Sequence, residues 1–413
     1  MAFIKPFRAL RPARHLAEKV AALPYDVMNV EEARGMARDN PHSFLHISRP
    51  EIDMPDHVDV HSKPVYQKGH ENLLRFVAQG ILVQDPTECY YVYRQKMGTI
   101  VQTGLVVCAS VDDYESGVIK KHELTRADKE EDRVMHIDRL DANDEPVFYT
   151  YRHDPALSAL IAGVTTGEAV YDFTTDDGVN HALWTIDDAT VISRLTGMFA
   201  AIPILYVADG HHRSAAANRV RNLRKNMNPA HTGEEEYNFF LTVIFPDDEM
   251  NIMPYNRAVT DLNGLSLEEF LAQVAVKFDV TAVDEPFQPV RRHQFCLVTA
   301  AACYEFNAKV DSFPANDSVR RLDVSILQDN LLSPLLGIEN PRTDQRIHFV
   351  GGIRGINELS RLVKGGEYAV AFALYPTAMD ELMALADEGK IMPPKSTWFE
   401  PKLRSGLFIH LLS

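Results

Sequence analysis

Hydrophobic and polar positions follow two alternating periods along the chain. The stretch 202–207 is almost wholly apolar and runs straight into Asp209-Gly210. A short apolar run closed by turn residues is what a strand buried on both faces requires. At His211 the pattern changes to a helical one, rich in Ala and Arg, that lasts to Asn226. The same exchange of periods recurs elsewhere. It predicts strands at 43–48, 90–95, 104–110, 237–245, 346–350 and 367–374. It predicts helices at 31–40, where Pro41 stops the run, and at 65–79, 266–278, 356–364 and 378–387. Such alternation specifies an α/β class with an α+β tendency, built on mixed rather than purely parallel sheets.

Length and composition narrow this picture. A chain of 413 residues is too long for one ordinary domain. We divide it near residue 255, into a part spanning 1–255 that carries the chemistry and an α/β part spanning 256–413 that closes the site. Polar loops fall at 174–178 and 226–236, the second with Pro229, Gly233 and Glu234-Glu235-Glu236. There is no internal repeat. Hydrophobic residues at 46% and charged residues at 24% are globular values. The formal net charge of -16 opposes binding along a nucleic-acid backbone, yet leaves room for a local cationic pocket. Cys89, Cys108, Cys296 and Cys303 form no C-x-x-C pair and no zinc spacing, so they read as small buried hydrophobes in a reducing compartment. No apolar run approaches the roughly 18 residues of a membrane span, and the N-terminus lacks a signal-peptide core. The expectation is a cytoplasmic protein that binds neither membrane nor nucleic acid, takes a small-molecule substrate, and is compatible with homo-oligomers.

Three segments carry candidate chemistry. In Ala208-Asp209-Gly210-His211-His212-Arg213 a buried strand enters and a helix leaves. Gly210 permits the tight turn. The first N–H groups of the helix then form an anion site, to which Arg213 adds a forked cation. Asp209 suits three roles: helix cap, magnesium ligand or proton acceptor. His211 and His212 point in different directions, so one of them faces a ligand. In 120–133, a helix would align His122, Arg126, Lys129 and Arg133 on one stripe, with Leu124, Ala127 and Val134 opposite. That stripe reads either as a solvated amphipathic face or as a cationic lining for phosphate. The Pro-rich segment 391–406 carries Lys395 beside Ser396 and Thr397, and one of the two tryptophans, Trp398. It reads equally as a ligand clamp or as a seal for the C-terminal strand. Gly351-Gly352-Ile353-Arg354-Gly355 lacks the dinucleotide fingerprint and reads as a tight turn, as do 23–27 and 254–257.

The segments 23–27, 122–133, 208–215, 254–257 and 392–406 together resemble the family catalogued as domain of unknown function 1015. Within it, Asp209-Gly210-His211-His212-Arg213 followed by Ala215-Ala216 is similar to the nucleotide-phosphate motif of the ParB/sulfiredoxin-like fold. The free serine kinases carry an Asp-Gly-His-His-Arg version. The resemblance implies a ParB/sulfiredoxin-like nucleotide-binding core and phosphoryl transfer from ATP or ADP, with Mg2+, to free L-serine. A sulfiredoxin would place a Cys in this turn, where this chain has histidine, so sulfinic-acid reduction is not expected.

The function expected is therefore a small-molecule phosphotransferase on a hydroxy amino acid. Gly210 and Arg213 would hold donor phosphates, and Asp209 would bind magnesium or accept the hydroxyl proton. His211 or His212 would touch the transferred group. His122, Arg126, Lys129, Arg133, Lys395, Ser396 and Thr397 would line the phosphate site and offset the developing charge. Two alternatives share the same pocket: a phosphatase on a phosphorylated amino acid, and a nucleotide-binding regulator without turnover.

Overall fold

In the computed structural model, which describes residues 1–413, the chain forms two compact units. The first comprises 1–250 together with 401–413, and the second comprises 251–400. The stretch 401–413, grouped by sequence with the C-terminal part, thus folds with the first unit. The class is α/β with several sheets, as the alternation of periods implies.

The main sheet of the first unit is mixed. Its central strand Phe239–Pro246 runs antiparallel to Ile100–Ser110 and parallel to Val147–Tyr151. The strand Leu205–Asp209, here the site strand, lies antiparallel to Val147–Tyr151. Its pairing slips between Val207 and Asp209, a bulge that leaves Ala208 without a partner. A bulge at this place re-aims the side chain that follows it, which is Asp209. The helix His211–Met227, here the site helix, buries Ala215, Ala216 and Ala217. Ala215 and Ala217 pack into the core of the sheet and let the helix lie close to it, and Ser214 Oγ meets the Tyr149 hydroxyl at 2.9 Å. On its other side it packs on the helix Ala127–Leu140 through Val134, Ile137, Ala216 and Val220.

Two sequence expectations fail in instructive ways. The segment 43–48 is not a strand: Leu45–Ser48 is a short helix. Phe44, Leu45 and Ile47 are all buried, so the run carries no usable period, and Ser43 Oγ accepts from Leu45 N–H to open the turn. The segment 122–133 is not one helix. The helix begins at Ala127 with Arg126 as its N-cap, so the four-residue cationic stripe does not form. Of the residues assigned to its apolar side, Leu124 is exposed and only Val134 belongs to the core.

The second unit holds a six-stranded sheet whose pairings are all antiparallel, in the order Phe278–Val283, Cys303–Ala308, Gln294–Thr299, Val370–Leu374, Tyr255–Val259, Ile347–Gly351. The helix Ile356–Lys364 covers it through Leu359, Leu362 and Val363. The four cysteines are free and buried. No helix is long and apolar enough to cross a membrane.

Within the first unit, Gly406 fixes the return of the tail. Its φ is +83°, and a Cβ there would stand 2.5 Å from Phe44 Cγ. Gly406→Ala therefore combines a left-handed backbone cost of ~1–2 kcal/mol with overpacking of ~1–3 kcal/mol. Denaturant unfolding of the first unit should show a loss of about 2–5 kcal/mol. An unchanged midpoint would mean that the tail is not held this way.

Candidate functional site

The site grows from the end of the site strand. Gly210 has φ +92°, a conformation that a side chain strains, and a Cβ there would press on the Arg213 guanidinium and Val147 at 3.2 Å. Gly210 is the N-cap of the site helix, with no side-chain cap and no acidic residue in the first turn. The N–H groups of His211, His212 and Arg213 precede the first intrahelical bond, which Ser214 N–H makes to the Gly210 carbonyl at 3.0 Å. The positive end of a 17-residue helix is thus presented uncapped.

Asp209 does not cap it. One carboxylate oxygen accepts from Gly210 N–H at 2.8 Å, and the other pairs with Lys402 Nζ at 2.8 Å. Burial acts to raise the Asp209 pKa, but the charges of Lys402 and Arg213 outweigh it and hold the carboxyl well below its ordinary range. Asp209 is therefore ionised at neutral pH. Lys402 reaches it because two buried glutamines of the 90–110 hairpin hold the tail backbone. Gln102 donates to the Pro401 carbonyl at 3.2 Å, and Gln95 donates to the Lys402 carbonyl at 2.7 Å.

Arg213 is buried and donates to the Pro146 carbonyl at 2.5 Å, while its Nε has no partner. Burial works against its charge, and Asp26, Glu145 and Asp209 restore it, so its pKa is raised. His211 is buried with Nε2 unpartnered, and the His122 ring stands edge-on to it at 4.4 Å with both nitrogens unpartnered. Burial is the main cause that lowers both. His122 falls to about 4, although Asp209 and the Val207 main chain pull it upward. His211 is held well below 6.5 by burial and then by His122. His212, half-buried, is also lowered by burial, with Asp26 and Glu130 opposing, and its Nε2 accepts from Arg126 N–H at 3.1 Å. All three imidazoles are neutral at pH 7.

The other sequence candidates divide. Arg126 brings its main chain to His212 but turns its exposed side chain to Asp128 at 2.7 Å. Lys129 is exposed. Arg133 is buried over the Tyr25 ring at 3.9 Å and pairs with Asp132 at 2.7 Å. Its Nη1 lies 4.0 Å from Glu145, which accepts from Tyr25 N–H and from the Ser405 hydroxyl. Arg133, His136, Asp144, Glu145 and Arg213 surround a cavity of about 10 Å³, room for one water and not for a ligand. Lys395, Ser396 and Thr397 lie in the second unit, where the Ser396 hydroxyl donates to the Pro393 carbonyl at 2.6 Å.

The donor set does not build a magnesium cage. No three His, Cys, Asp or Glu groups converge, and both Asp209 oxygens are already engaged. Sequence reasoning missed Lys402, Asp26 and Glu145. The Lys402 position was visible as a cation within the 391–406 segment, but nothing in the sequence tied it to Asp209, 193 residues away.

Fold and site define a mixed α/β protein with an uncapped, cation-flanked helix start. The chain belongs to the family described as protein of unknown function (DUF1015), matched over residues 4–325. No curated protein matches the sequence. Among solved structures, a conserved hypothetical protein from Pyrococcus furiosus is 13% identical, with 73% of this chain and 95% of that one covered and a TM-score of 0.35. A free serine kinase in complex with AMP is 16% identical, with 73% and 92% covered and a TM-score of 0.35. SbnI with C-terminal truncation, from Staphylococcus aureus, is 12% identical, with 74% and 87% covered and a TM-score of 0.39. The reading of the site rests on the geometry above.

The histidines set a pH dependence. Because the folded pKa of His122 lies below its unfolded value of about 6.5, the unfolded chain takes up a proton first as pH falls. Stability contributed by neutral His122 is complete above about pH 6.5 and is lost down to about pH 4. Between pH 7 and 4.5, wild type should lose roughly 2–3 kcal/mol more than His122→Asn in denaturant unfolding. Equal losses in the two proteins would refute the buried neutral ring.

Proposed function

We propose that the turn Asp209–Arg213 receives the phosphates of ATP or ADP, and that the protein is a phosphotransferase acting on a small hydroxy amino acid. The observation that carries this reading is the uncapped helix start flanked by Arg213 and Lys402, with the Asp209 carboxylate beside it already paired. Amides and two fixed cations are what a phosphate needs, and phosphoryl transfer asks for positioning and charge neutralisation more than covalent chemistry. The acceptor class, with L-serine first, comes from the motif resemblance alone.

In this reading the acceptor hydroxyl oxygen bonds to the terminal phosphorus as the bond to the leaving nucleotide oxygen breaks. Main-chain N–H groups of 211–213, with Arg213 and Lys402, offset the charge that develops. Asp209 is a positioning residue that orients Lys402, since a carboxyl held so far below its usual range is a poor base. The hydroxyl proton passes to a neutral imidazole. His211, whose Nε2 has no partner, is the ring that takes it, because His212 Nε2 already accepts from Arg126 N–H. His122 and His211 are neutral and able to pair with a bound group. Arg126 and Lys129 are solvated and make no direct contribution. No step runs through magnesium.

The test is phosphorus NMR of the full chain with ATP or ADP, a divalent cation and a panel of hydroxylated amino acids. A nucleotide-dependent phosphomonoester signal supports transfer. Phosphate released from O-phosphoserine without nucleotide would make the site a hydrolase, and bound nucleotide without transfer would make the protein a regulator. Lys402→Met should lower turnover by roughly a hundredfold to a thousandfold, as loss of one preorganised charge-stabilising group does. Arg126→Ala and Lys129→Ala should leave it within about threefold. The opposite ranking would refute the assignment.

A further inference from the structure

The second unit contains a buried cation with no counter-charge. Arg257, on the strand Tyr255–Val259, is 3% exposed. Its hydrogen bonds run to two main-chain carbonyls, those of Tyr255 and of Lys395, the latter at 2.9 Å. No carboxylate pairs with it. The other buried arginines differ: Arg133 sits on Asp132, Arg404 on Asp177 and Arg221 on Glu115, and Arg213, which also has no ion pair, has Asp26, Glu145 and Asp209 near it. Burial lowers Arg257 to about 10, opposed only by the Tyr255 phenol, whereas Arg11, Arg133 and Arg213 are raised by their acidic neighbours. An uncompensated buried guanidinium destabilises a fold strongly, so its persistence calls for a reason.

The surroundings supply one. The guanidinium carbon stands 4.8 Å from the centre of the Phe349 ring and 5.9 Å from that of Tyr255. A second cation, Lys395 Nζ, stands 5.4 Å from the same Tyr255 ring. Trp398 packs edge-on against Tyr255 at 5.2 Å, and Gly351 admits it, since a Cβ there would lie 2.9 Å from the indole. Ring faces attract the Arg257 guanidinium but bring it no negative charge. Lys395 also has φ +57°, a left-handed conformation costly for a residue with a Cβ, at the very residue whose carbonyl holds Arg257. Strain of this kind gathers at ligand-holding loops. Three of the five guanidinium N–H groups have no protein acceptor, and a forked donor of this shape matches a phosphate or a carboxylate.

We propose that the second unit carries an oxyanion site of its own, with Arg257 as the bidentate donor, Lys395 as the second cation, and Tyr255, Phe349 and Trp398 as its aromatic wall. The ligand is the phosphate or carboxylate group of a small molecule. The inference stands whether or not the first unit transfers phosphate. It also gives a function to 254–257 and 392–399, two segments of the family resemblance that read as turns and as a Pro-rich loop.

Trp398 is a built-in reporter, because the chain has one other tryptophan, Trp184. Full-length Trp184→Phe protein is titrated with inorganic phosphate and, separately, with acetate, each at constant ionic strength against chloride. The expected result is a saturable change in Trp398 fluorescence with at least one of them. Phosphate alone assigns a phosphate ester, and acetate alone assigns a carboxylate. Arg257→Gln should weaken binding by about tenfold or more, and Arg257→Lys, which keeps the charge but loses the fork, by less. If Arg257→Gln does not fold, Arg257→Lys alone decides, by weakened binding in a folded protein. Arg213→Gln should leave the response unchanged, which separates this site from the one in the first unit. No saturable response, or equal binding by wild type and the folded Arg257 variants, overturns the proposal. So does a response lost in Arg213→Gln.

Discussion

The pair between Lys402 and Asp209 is the constraint on which the first unit's site depends. It joins the last residues of the chain to the turn between site strand and site helix. Without Lys402, a carboxylate would stand alone beside the positive end of an uncapped helix and would fill the place of an incoming anion. With Lys402, the carboxylate is neutralised sideways and the amides remain available. The bulge at Ala208, the left-handed Gly210 and the two glutamines that grip the tail all serve the same geometry. A helix that merely needed stability would place Ser, Thr, Asp or Asn at its N-cap. This one has glycine.

The charge balance follows from the same arrangement. A chain with a formal charge of -16 repels anions at long range, so any site for phosphate must be short-ranged and enclosed. Arg213 and Lys402 are both largely buried, and burial preserves their fields from solvent screening. The three imidazoles contribute no charge at neutral pH. The unpartnered nitrogens of His122 and His211 are an unfavourable feature that a hydrogen-bonding ligand would correct. An anion held there would act on the rings opposite to burial and raise their proton affinity.

How much of this is legible in the sequence depends on range. The strand–Gly–helix turn is local, and its apolar run, its glycine and its change of period announce it without ambiguity. His122 joins it by packing on His211, which the shared polar character of the two segments suggested but could not place. Arg133 looked like a phosphate ligand and is a buried structural cation on Tyr25 and Asp132, because the helix starts five residues later than a His122-led stripe requires. Lys402 and Arg257 were out of reach for different reasons. The first pairs across 193 residues, and the second is conspicuous only through a partner it lacks. The segment 43–48 failed because a run buried on every side has no period to read.

If the N–H groups at the start of the site helix receive the phosphates of a nucleotide, an amide NMR titration of the full chain with ADP reads it at those groups. Saturable shifts of the main-chain N–H resonances of Gly210, His211, His212 and Arg213 are expected, strongly weakened in Lys402→Met. Saturable ADP binding that leaves those four resonances unmoved would contradict it.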